Sequence, residues 1–131
     1  MNAGYIPVLM TKTVLIVEDD QPTQMLVKTL MERNGLRSVI AGDGAAAIEV
    51  LEKRDDIACI ILDLMMPEVD GTTVISFIAK QEKKVPVIVC SAAVTSTMPS
   101  LDPTVVRAVI RKPFDIEHLA ATAAALIDER S

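Results

Sequence analysis

The run Ala58-Cys59-Ile60-Ile61-Leu62 is apolar at every position and stops at Asp63. Successive side chains of a strand point to opposite faces, so such a segment is hidden on both sides, as in a central parallel strand with helices above and below it. Asp63 then stands at the strand's carboxyl end.

The rest of the chain supplies pieces that fit this frame. Val14-Leu15-Ile16-Val17 is a β-branched run closed by Glu18, Asp19 and Asp20; Ser38 to Ala41, Val85 to Cys90 and Val105 to Arg111 read as further strands, the last two ending at Ser91 and Lys112. Between them lie helical patterns. Gln21-Pro22 opens one with an apolar stripe at Met25, Leu26, Leu30 and Met31, and Asp20 is placed to cap it. Gly35 after Asn34 suits the positive φ of a helix end. Ala45 to Lys53, with Ala47, Ile48 and Leu51 inward, Gly71 to Lys80 and Asp115 to Ile127 complete the set. The alternation predicts an α/β fold: a doubly wound, five-stranded parallel sheet joined by right-handed crossovers, with helices on both faces. Pro99 and Pro103 oppose a regular helix across Thr95 to Thr104, leaving the fourth helix short or missing.

A chain of 131 residues holds one such domain and not two. We place it at residues 14–128, with an N-terminal tail at 1–13 and a C-terminal tail at 129–131. That leaves no room for an output domain, so output is expected through a partner, whether the chain is a natural stand-alone unit or part of a longer protein. With aromatics at 2%, the core must come from Val, Ile, Leu, Met and Ala. A net charge of −5 without clustered Lys or Arg argues against nucleic acid. Cys59 and Cys90 lie in apolar runs and read as buried free thiols. No apolar run is long enough to span a membrane and the first residues make a poor signal peptide, so a cytoplasmic location is expected.

Glu18, Asp19, Asp63, Ser91 and Lys112 all fall at the carboxyl ends of predicted strands, where open parallel sheets bind ligands. Carboxylates gathered there repel one another unless a cation lies among them, and an oxygen-only set without His or Cys favours Mg2+. Such a cation and the Lys112 ammonium would also offset the charge of a phosphoryl group arriving on a nucleophilic Asp63.

Val17-Glu18-Asp19-Asp20, Leu62-Asp63-Leu64-Met65-Met66-Pro67-Glu68-Val69-Asp70-Gly71, Ser91-Ala92 and Lys112-Pro113-Phe114 resemble the signatures of response-regulator receivers, in order and at family-like spacing. The likeness spans about Val14 to Ile127. It implies a flavodoxin-like fold of strand order 2-1-3-4-5 and a Mg2+-dependent module of a two-component phosphorelay. Asp63 would take a phosphoryl group from a histidine kinase or phosphotransfer protein. Asp19, Asp63 and the Met65 carbonyl would hold the metal, with Glu18 acting beside them or through water. Ser91 and Lys112 would bind the phosphoryl group. The module would be a signalling phospho-acceptor and not a turnover enzyme, catalysing only its own phosphorylation and slow self-dephosphorylation, since Met65 and Ala93 offer no side chain to orient an attacking water. It would act on a downstream protein, as a monomer or weak homodimer.

Two features depart from the pattern. The family's usual aromatic switch partner is replaced by Val109, which reads as core, and the fourth helix is proline-interrupted. These keep open a degenerate receiver that binds partners without phosphorylation. A separate rival is Gly42-Asp43-Gly44-Ala45-Ala46-Ala47, which fits the dinucleotide-binding pattern G-x-G-x-x-A with Asp63 about 20 residues on. That reading leaves Glu18, Asp19, Ser91 and Lys112 unused. His118 reads as a surface residue.

Overall fold

A computed structural model describes residues 12–63, 71–91, 102–111 and 115–129. In chain order the elements are β1 (Thr13–Val17), α1 (Gln21–Arg33), β2 (Arg37–Ala41), α2 (Gly44–Lys53), β3 (Ile57–Asp63), α3 (Gly71–Ala79), β4 (Val87–Ser91), β5 (Val106–Arg111) and α4 (Ile116–Glu129). The strands form one sheet in the order β2-β1-β3-β4-β5, parallel throughout. This is the predicted doubly wound topology. Of the stretch Thr95 to Thr104, where a fourth helix was expected to be short or missing, residues 95–101 lie outside the described residues and 102–104 are not helical. Of the expected tail 1–13, residues 1–11 lie outside them, whereas Thr13 is not tail but the first residue of β1.

Alternation along the strands builds two cores. Val14 and Ile16 of β1 and Cys59 and Ile61 of β3 pack with α1 (Val27, Leu30, Met31) and α4 (Leu119, Ala123, Ile127). Leu15, Val17, Ile60 and Leu62 pack on the other face with Ala47 of α2 and Val74, Ile75 and Ile78 of α3. Every residue of β3 is buried, as its two-faced apolar sequence requires. Register jumps at two places: pairing to β4 passes from Val106 to Ala108 in β5, and pairing to β1 passes from Ile57 to Cys59 in β3, so Ala58 and Cys59 both join the α1/α4 core.

Helix ends follow local chemistry. The Asp20 carboxylate accepts the Thr23 N–H at 3.0 Å and caps α1, with Pro22 in its first turn. Asp43 does the same for α2 through the Ala46 N–H at 2.7 Å. Gly35, after α1, has φ 77°, the one positive φ among the described residues. Cys59 and Cys90 are buried and form no disulfide.

Two expectations need correction. The buried stripe of α1 is Val27, Leu30 and Met31, whereas Met25 and Leu26 are 56% and 46% exposed. The apolar residues of this helix exceed what one buried face can hold, and those nearest its start fall outside it. Val109 is likewise not core but 46% exposed. β5 is an edge strand, and Val109 shares its parity with the exposed Arg107 and Arg111, while Ile110 is the buried residue of the strand.

Candidate functional site

Chain order reverses at β1: the chain leaves it toward β2 on one side and returns to β3 on the other. The crevice outside the carboxyl ends of β1 and β3 is therefore the topological switch point. β1 ends at Val17, so Glu18 and Asp19 enter this crevice from one strand, and Asp63 is the last residue of β3.

Carboxylate oxygens of Glu18, Asp19 and Asp63 all lie within 4.8 Å of one another. Glu18 and Asp63 are buried, at 4% and 8% exposure, and Asp19 is exposed. The buried members set the chemistry, because acids so close and so shielded from water need a compensating positive charge. An all-oxygen donor set with one open, solvent-facing side fits a hard divalent cation that keeps part of its water shell, as Mg2+ does.

The loop that carries two of these acids is held at several points. The Glu18 N–H donates to the Ala41 carbonyl of β2 at 3.1 Å, and the Glu18 carbonyl accepts from Gln24 Nε2 of α1 at 2.6 Å. Glu18 Oε2 accepts the Asp20 N–H at 3.3 Å, and Asp20 in turn caps α1. Gln24 was not among the residues singled out from the sequence. Its one legible signal was its place a turn beyond the Asp20 cap, from which a long amide reaches back over the helix start.

Ser91 is the final residue of β4, one position beyond Cys90, which pairs with Asp63 across the sheet. Its backbone thus ends level with the acidic crevice. Met65, Ala93 and Lys112 lie outside the described residues. His118 is exposed on α4, on the surface as expected.

The Gly42-Asp43-Gly44 turn does not have the geometry of a dinucleotide loop. The Asp43 carboxylate sits on the α2 N-terminus, where a pyrophosphate would have to lie, and neither glycine has positive φ. Asp63 is also two strands from β2, with β1 between them, rather than at the tip of the neighbouring strand. A cleft of about 550 Å³ lies at the opposite, amino-terminal end of the strands, lined in part by Leu51, Ile57, Phe77 and Val85. It contains none of the three carboxylates, and its size gives it no claim on the chemistry they support.

The model of the response regulator receiver domain family matches residues 14–124. The chain belongs to that family. This receiver is 36% identical over 83 residues to the transcriptional regulatory protein SrrA of Staphylococcus aureus, a match covering 63% of this chain and 34% of that protein. It therefore spans about a third of the length of the curated relatives it matches. Among solved structures it is similar to the receiver domain of Francisella response regulator 1452, with 26% identity and a TM-score of 0.81 over 92% of this chain and 99% of that one. The signal receiver domain of a putative Luxo repressor protein from Vibrio parahaemolyticus shares the fold, with a TM-score of 0.82 at 24% identity over 90% and 91% of the two chains. The protein is thus a response-regulator receiver of two-component signalling. Among the described residues, no helix is long and apolar enough to cross a membrane.

Proposed function

We propose that this receiver accepts a phosphoryl group on Asp63 with the help of Mg2+ and passes the signal to a partner protein. The observation that carries the reading is the meeting of Glu18, Asp19 and Asp63 at the switch point of the sheet. Asp19 and Asp63, with the Met65 carbonyl, are the metal ligands, and Glu18 supports them directly or through water. Bound Mg2+ would supply charge stabilisation for the phosphoryl oxygens. An Asp63 carboxylate oxygen attacks phosphorus, the bond from phosphorus to the donor nitrogen breaks, and the departing imidazole keeps the electron pair.

Lys112 pairs with the phosphoryl group and Ser91 donates a hydrogen bond to it. The donor is a phosphohistidine on a histidine kinase or phosphotransfer protein. The chain works as a phospho-acceptor, performing only its own phosphorylation and slow dephosphorylation. A cytoplasmic setting suits such a donor.

Intact mass after incubation with Mg2+ and a small acyl phosphate tests the reading. Wild type should gain one phosphoryl group and Asp63→Asn none. An unmodified wild type that still binds Mg2+ would overturn phospho-acceptance in favour of a phosphorylation-independent binding module.

A further inference from the structure

Asp19 is an exposed residue in a connection, yet a metal that tolerates little departure from octahedral geometry needs its carboxylate in one place. Something must fix the backbone that carries it. The peptide joining Glu18 to Asp19 is planar, so the direction of the Glu18 carbonyl sets the orientation at which Asp19 begins. That carbonyl can only accept a hydrogen bond, and it accepts one from the Gln24 amide nitrogen at 2.6 Å. The amide lies over Gly42, whose hydrogen stands where any side chain would begin 4.0 Å from Gln24 Nε2.

On the basis of the metal reading above, we propose that Gln24 is a positioning residue for Asp19, acting through the Glu18–Asp19 peptide. Three contacts make the device. Ala41 of β2 holds the N–H of Glu18, Gln24 of α1 holds its carbonyl, and the Asp20 cap anchors the following residue to the same helix. Asp19 is pinned between residues tied to two different elements, and a peptide fixed in advance spares the metal the cost of ordering it. Gln24 itself sits in the first turn of α1, its N–H donating to the Asp20 carbonyl at 2.9 Å. Without the amide, the Glu18 carbonyl loses this tie to α1 and the peptide gains freedom that Mg2+ must then remove.

The test compares wild type, Gln24→Leu and Asp19→Asn by Mg2+ titration calorimetry, with thermal unfolding of each in EDTA. Leucine keeps much of the bulk of glutamine and cannot donate. Loss of an outer partner of a metal ligand weakens binding by roughly 10–100-fold, and we expect the lower end of that range for Gln24→Leu. Its unfolding temperature in EDTA should fall only by the few degrees that one lost hydrogen bond produces. A purely structural role would lower the unfolding temperature and leave the Mg2+ dissociation constant within about twofold of wild type, which would overturn the proposal. Mg2+ binding that Asp19→Asn leaves intact would overturn the metal reading itself, and the proposal with it. Binding lost in Asp19→Asn but unchanged in Gln24→Leu would overturn the positioning role alone. Should Gln24→Leu fail to fold, NMR of the wild-type Gln24 side-chain amide during Mg2+ addition decides the matter: shifts that saturate with metal binding support the proposal, and none overturns it.

Discussion

Val109 shows how a single residue's burial depends on its strand's place in the sheet. At the register position opposite the fully buried Val89, it is nevertheless 46% exposed. Val109→Ala should therefore change stability by no more than about 0.5 kcal/mol, whereas Val89→Ala should cost more than about 1.5 kcal/mol in urea unfolding. Asp56 carries the clearest electrostatic role. It accepts hydrogen bonds from Arg54 Nε and Nη2 at 2.9 and 2.7 Å and from Thr13 Oγ1 at 2.6 Å. The Arg54 hydrogen bonds, with help from Thr13, hold its carboxyl down at about 2. A carboxyl depressed on folding stabilises the native state above its unfolded pKa, and this contribution is lost as pH falls through the window from about 4 to about 2. With Arg54 40% exposed, the effect is about 1 kcal/mol after screening. Asp56→Asn should be less stable than wild type by that amount at pH 7, and urea midpoints measured at successively lower pH should converge. Burial, by contrast, pushes the Cys59 thiol up to about 12, so it stays protonated and unreactive in the native protein.

Two helices here begin at a short acid soon after a strand ends, and one of these acids, Asp20, directly follows the site residues Glu18 and Asp19. Asp20 and Asp43 each satisfy a first-turn N–H, of Thr23 and Ala46 respectively. Replacing either with alanine should cost about 1 kcal/mol in denaturant unfolding. The two differ in consequence, because Asp20 also follows Glu18 and Asp19 directly. Asp20→Ala should weaken Mg2+ binding as well, while Asp43→Ala should leave it unchanged. The Asp20 cap was readable from sequence because its cause lies within four residues, whereas Asp43, though equally local, was read only as part of a glycine-rich turn. The step in β3 was not readable: Ala58 and Cys59 face the same side only because β1 pairs with Ile57 and then with Cys59. Nothing in an unbroken apolar run marks the residue at which a neighbour's register will jump.

For the molecule as a whole, metal binding and folding should be linked. A ligand that binds only the folded chain stabilises it by about 1.4 kcal/mol at ten times its dissociation constant, a rise of roughly 3–5 °C for a domain of this size. Thermal unfolding with Mg2+ and then with excess EDTA should show that rise and its reversal, and an unchanged midpoint would count against the metal site. The amino-acid sequence by itself determined the order of elements, the parallel sheet and the acids at its carboxyl edge. Alternation, strand-end charge and capping are local or periodic properties, and parallel strands joined by right-handed crossovers leave few arrangements. Only the tertiary structure decided that Glu18, Asp19 and Asp63 approach within 4.8 Å, that Gln24 reaches the Glu18 carbonyl, and that Val109, Met25 and Leu26 face outward. Each of these depends on which element lies beside which, and at what register, and a side chain's own neighbours in sequence carry no record of that.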